Sequence, residues 1–193
     1  GAFLGTSSGG TYLNPGGDGL WPAPEGSRLG YEYATGAWRV PPGLTGARYA
    51  VLRSTPYRMA IRAEIDLVNS EGLGIPTAFE RDVAVEESAM VVTETIQYLG
   101  SRELPADRCR LAPWSLAQFA GGPGCVALFP DAGPAAVRDL YEPSDACRRR
   151  VEGAWETATD GSARYQLGLS PDVDWIEMRN PATGLRVRRT AAP

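Results

Sequence analysis

The stretch Tyr57-Arg58-Met59-Ala60-Ile61-Arg62-Ala63-Glu64-Ile65-Asp66-Leu67 decides the fold. Tyr57, Met59, Ile61, Ala63, Ile65 and Leu67 point one way, and Arg58, Arg62, Glu64 and Asp66 point the other. A period of two is the repeat of a strand, with one face on a core and the other in water. One wet face in turn implies antiparallel pairing. Asn69 to Gly74 reads as a turn, and a second strand follows through Phe79, Val83 and Val85 with Glu80, Asp82 and Glu86 between them. Glu86-Glu87-Ser88 reverses the chain into a third run, Met90 to Tyr98. Consecutive strands with short links make a meander.

Leu111 to Phe119 reads as a further strand, with Pro113 confining its start to an edge or a bulge. Gly121 to Gly124 turns the chain into the apolar run Cys125 to Phe129, which fits a buried strand. Between Pro130 and Thr159 the alternation fades. Ala135 to Tyr141 suggests one or two helical turns entered at Pro134. Arg148-Arg149-Arg150 reads as a solvated face or an anchor for a nearby carboxylate. Strands return at Arg164 to Leu169 and Trp175 to Arg179, and Asn180 to Gly184 is a hairpin turn leading into Leu185 to Arg189. Residues 1–47 are loop-rich, with Tyr12, Trp21, Tyr31, Tyr33 and Trp38 scattered among glycines and prolines, and read as an ordered cover. The expectation is one all-β domain over 1–193, an antiparallel β-sandwich whose strand core runs from 48 to 189.

The bulk properties bound the function. The 193 residues carry 23 Gly and 16 Pro, which favours turns and short strands. A net charge of -4 offers no electrostatic reason to expect nucleic acid or an anionic membrane as partner. No apolar run reaches the length of a membrane span, so a soluble protein of the cytoplasm, the periplasm or the exterior is expected. There is no histidine, and all 19 basic residues are arginine. Serine or cysteine nucleophiles activated by histidine, lysine Schiff bases, Walker A phosphate loops and histidine-ligated metals are therefore excluded. Cys109, Cys125 and Cys147 lack metal-site spacing, so neither metal nor cofactor is expected. Chemistry must come from carboxylates, tyrosines, arginines or a partner.

Asn14-Pro15-Gly16-Gly17-Asp18-Gly19-Leu20-Trp21-Pro22-Ala23-Pro24-Glu25 is the candidate site. Its glycines and prolines argue against a helix or a central strand, and so for a loop. Such a loop would offer Trp21 to stack on a sugar ring, with Asp18 and Glu25 to hold hydroxyls. The same composition also describes a structured loop whose tryptophan plugs a core edge.

Together with Ala112-Pro113-Trp114-Ser115-Leu116-Ala117-Gln118-Phe119, this segment resembles the DUF4380-type proteins of bacteria, which look like members of the galactose mutarotase-like superfamily. In that group a GGD-x-x-WPAP-[QE] loop precedes a meander and then a W-S-x-x-Q strand. The resemblance extends loosely over residues 9–130 and more weakly to Trp175–Arg189. It implies a supersandwich with a carbohydrate-sized cleft on one sheet. Members are usually longer, which implies that this chain is a fragment or an abbreviated member. Mutarotases use a histidine acid and a glutamate base, and a chain without histidine cannot build that pair.

These readings converge on a carbohydrate-binding protein without mutarotase catalysis, taking a carbohydrate or another small polar ligand. Trp21 and Trp114 would be stacking platforms, with Asp18, Glu25 and Gln118 as polar contacts. One alternative is a carboxylate-dependent glycosidase or sugar isomerase using Asp18 and Glu25 as catalytic residues. Another is a protein-interaction module that docks through the aromatic segment. Open strand edges on an incomplete sandwich would favour a homodimer.

Overall fold

The structure, a computed structural model, describes residues 17–23, 44, 46–68, 72–140 and 142–191. Nearly all of the regular structure is antiparallel β, as the alternation around Ile61 implies. The chain divides into two compact units, Gly1–Gln118 and Phe119–Pro193.

In the first unit, β2 (Ala50–Thr55), β3 (Arg58–Val68), β4 (Gly74–Glu86) and β5 (Ala89–Tyr98) form a four-stranded sheet in sequence order. The expected meander is present and gains a strand, β2, because Pro56-Tyr57 is a turn. Arg58 opposes Ala84 and Val68 opposes Gly74, so β3 is paired along its whole length. That register puts Ala63, Ile65 and Leu67 on one face beside Phe79 and Ile75. These five residues and Cys109 form the buried core. Thr77 is also buried on β4, and its hydroxyl donates to the Ile65 carbonyl at 2.6 Å.

Gly17–Ala23 is a strand, β1, where the sequence suggests a loop. It pairs with β6 (Ala112–Gln118) in a two-stranded ribbon, Gly17 opposite Gln118 through Ala23 opposite Ala112. The composition argument excludes a central strand, and β1 is not one. Pro22 faces Pro113. Two prolines can oppose each other only at a non-hydrogen-bonded position, where neither needs an N–H. Leu20 packs against the core of the sheet, which lays the ribbon on that face.

The second unit holds a five-stranded sheet in the order β13-β12-β7-β10-β9. Its strands are β7 (Val126–Pro130), β9 (Arg148–Val151), β10 (Ala154–Ala158), β12 (Trp175–Asn180) and β13 (Leu185–Thr190). A second sheet pairs β8 (Val137–Asp139) with β11 (Leu167–Leu169). The expected helical turn after Pro134 is a single 3-10 turn, Pro134–Ala136, after which the chain is extended into β8. The expected Asn180–Gly184 turn joins β12 to β13 and leaves Asn180 opposite Leu185.

Candidate functional site

Alternation along β1 and β6 sorts the candidate residues by face. Directly opposed residues share a face, so Trp21 and Trp114 stand side by side with Gly19, Leu116, Gly17 and Gln118 farther along. The two indoles meet edge to face, with centroids 6.1 Å apart and planes at 73°. This is the arrangement preferred by the aromatic quadrupole. Trp21 folds back over Gly19, whose absent Cβ would lie 3.9 Å from the indole nitrogen. Both tryptophans and Gln118 are half-buried. Gly17 and Gly19 add no side chains to this face. The half-buried Leu116 stands between Trp114 and Gln118, whose positions lie about 13 Å apart at the rise of a strand.

Asp18 belongs to the opposite face, with Leu20 and Pro22. Its carboxylate is paired with Arg81 of β4, and Arg81 Nη1 also donates to the Asp18 carbonyl at 2.7 Å. Arg81 Nε lies 3.1 Å from Glu94 Oε1 of β5. Asp18, Arg81 and Glu94 thus form a partly buried ionic link that ties the ribbon to the sheet beyond the end of the apolar core. Glu25 lies outside the described residues. The structure brings Trp21 and Trp114 together, puts Gln118 on the same face about 13 Å along the strand, and sets Asp18 on the opposite face.

Loop residues 99–111 border a cleft of about 430 Å³ between Ile75, Tyr98, Leu104, Cys109 and Leu111, with Arg102 and Glu103 at its rim. Burial pushes the Cys109 thiol above its ordinary range. A buried thiol with no group favouring its charged form behaves as an apolar wall.

Sequence reasoning missed the most charged constellation among the described residues. Glu177 on β12 is 1% exposed and receives three arginines. Oε1 accepts from Arg179 Nε at 2.6 Å and Arg186 Nε at 2.7 Å, and Oε2 accepts from Arg188 Nε at 2.9 Å and Arg186 Nη2 at 3.2 Å. Burial alone would raise the Glu177 pKa, but the hydrogen bonds from Arg186, Arg179 and Arg188 outweigh it and hold the group at about 2. The signal was present in the sequence. Once Asn180–Gly184 is taken as a tight turn, counting back pairs Glu177 with Arg188 and Arg179 with Arg186. At the far edge of the sheet the Arg148–Arg150 run serves as the anchor it resembles. Arg148 pairs with Asp145, Arg149 with Glu156 and Arg150 with Asp131, while Arg148 and Arg150 lie over the Trp155 ring.

No family model, curated protein or solved structure matches this chain. Among the described residues, no three His, Cys, Asp or Glu side chains stand close enough to hold a metal ion, and no helix is long and apolar enough to cross a membrane.

Proposed function

We propose that this chain is a carbohydrate-binding protein without mutarotase catalysis, taking a sugar on the ribbon face that carries Trp21, Trp114 and Gln118. The observation that carries the proposal is the β1–β6 register. It sets the two indoles against each other and puts Gln118 on the same face, opposite Gly17, beside which no atom stands where a Cβ would be. A pyranose presents C–H groups on its flat faces and hydroxyls at its rim. An indole suits the former, and the Gln118 amide, with two donors and an acceptor, suits the latter. The row from Trp114 to Gln118 spans about 13 Å, longer than one sugar ring, so an oligosaccharide is the favoured ligand. Asp18 supports the site from behind by holding the ribbon on Arg81. A two-carboxylate enzyme draws less support, because Asp18 faces away from the tryptophans.

The test is intrinsic tryptophan fluorescence titrated with mono- and oligosaccharides. The parent protein gives a saturable change that Trp21→Ala and Trp114→Ala abolish. Gln118→Ala weakens binding by about tenfold, the worth of one good hydrogen bond. An unresponsive parent, or a response that survives both tryptophan substitutions, overturns the proposal. Turnover of a bound glycoside that Asp18→Asn eliminates while sugar binding persists would replace binding with carboxylate catalysis.

A further inference from the structure

Glu177 leaves its arginines unbalanced. Arg179 and Arg186 are directly opposed across β12 and β13, and like charges in that relation repel. Between them stands one carboxylate oxygen, Oε1, and the other oxygen is taken by Arg186 and Arg188. Three guanidiniums therefore share a single negative charge. Among the described residues they pair with no other carboxylate. The local excess is two positive charges, in a chain whose net charge is -4.

The excess points outward. The Glu177 side chain is 1% exposed, whereas those of Arg179, Arg186 and Arg188 are 41%, 60% and 47% exposed. Each guanidinium spends its Nε on the buried carboxylate, and Arg186 and Arg188 each set one terminal nitrogen against it as well, which leaves the other terminal N–H groups unspent. Their positions are fixed. Nε is held by Glu177 in all three, and Arg188 also stacks on the Trp175 ring with its Cζ 4.2 Å from the centroid. A planar fork held in this way has already lost the side-chain freedom that ligand binding would otherwise remove.

We propose that Arg179, Arg186 and Arg188 form a binding site for a tetrahedral oxyanion, a phosphate or sulfate group, with Glu177 as the buried post that orients them. A dianion matches the excess of two charges, and its oxygens can accept from the N–H groups that Glu177 leaves unspent. Arg149, across the same sheet, has the same charge but a different role. Its guanidinium is paired one to one with Glu156 at 2.5 Å, which leaves no excess there. The site belongs to the second unit and does not depend on the sugar reading of the ribbon.

The experiment titrates the whole chain with inorganic phosphate, inorganic sulfate, phenyl phosphate and phenyl sulfate, against chloride at constant ionic strength. Arginine Nε–H resonances give the readout. Saturable shifts confined to Arg179, Arg186 and Arg188 are expected, with chloride inert. Inorganic anions binding as well as the esters would identify a free anion as ligand, and tighter ester binding would identify a group carried on a larger molecule. Arg179→Gln and Arg186→Gln each weaken binding at least about tenfold, the loss expected for a charged hydrogen bond. Arg149→Gln leaves it within about twofold. Each of the first two variants keeps two arginines on Glu177, so the carboxylate stays paired. The proposal falls if the parent responds to phosphate and sulfate no more than to chloride, a result that needs no variant to fold. It also falls if Arg149→Gln weakens binding as much as Arg186→Gln, since that would reduce the effect to general attraction.

Discussion

Replacing Glu177 with glutamine removes one charge from the centre of the β12–β13 hairpin and keeps its shape. The cost can be worked from the ionisation of the native group. Its three arginines lower its pKa from an ordinary 4.5 to about 2 against the opposing effect of burial. That difference corresponds to roughly 3 kcal/mol of stability at neutral pH. The arginines covering it are themselves half-exposed, so water screens the attraction and roughly 2–3 kcal/mol is expected. A carboxyl with a lowered pKa contributes this stability fully above its unfolded value, near 4.5, and loses it as pH falls toward about 2. Amide exchange along Trp175–Asn180 and Leu185–Thr190 reads the opening free energy of the hairpin directly. At pH 7 these amides in Glu177→Gln exchange about 30- to 150-fold faster than in the parent, which is the same energy as a rate ratio. At pH 2.5 the two proteins converge, because the parent has then lost most of the same interaction. A gap that persists unchanged at pH 2.5, or a ratio below about fivefold at pH 7, refutes the ionic account of Glu177.

Four further outcomes follow from the geometry. Glu152 occupies the left-handed region at φ 41° in the two-residue link between Val151 and Ala154, so Glu152→Asn, which creates an Asn-Gly turn, raises stability by about 1 kcal/mol in urea denaturation. A Cβ on Gly121 would collide with the Thr159 carbonyl oxygen, so Gly121→Ala lowers stability by about 1–3 kcal/mol, measured by thermal unfolding. A double-mutant cycle on Trp21→Ala and Trp114→Ala yields a coupling of about 1 kcal/mol from the edge-to-face contact. Cys109 and Cys125 are buried and Cys147 is not, so a thiol-specific reagent modifies Cys147 first in the native protein and the other two only on unfolding.

The legible part of the fold was the part with long alternation. β3, β4 and β5 each run for ten residues or more, several full periods, and the core residues Ile65, Leu67 and Phe79 fall where the pattern places them. β8 and β11 are three residues long and β9 four, too short for a period of two to stand out. Arg148-Arg149-Arg150 also hides its alternation, because all three residues are charged although Arg149 shares a face with Glu156 and its neighbours flank Trp155. β1 was obscured differently. Its glycines and prolines argue against a strand with two neighbours, but a ribbon of two edge strands imposes no such requirement. Trp21 and Trp114 were therefore legible as candidates, while their partnership and the separation of Asp18 depend on a register that neither segment reveals alone.

Glu177 shows why the charged site was harder to read than the aromatic one. Alternation assigns a polar residue on a strand to water, and by that rule Glu177 should be exposed. Its neighbour across β7, Leu128, is buried on the same face, so that row of the sheet is covered. At Glu177 three half-exposed arginine side chains stand against the buried carboxylate, and long side chains of this kind can cover a surface with their stems while their heads stay wet. A carboxylate under such a canopy keeps its charge only because several donors converge on it at once. Arg179, Arg186 and Arg188 can converge because the Asn180–Gly184 turn fixes all three around residue 177. The excess charge is thus a product of hairpin register, visible only when the two strands are read together.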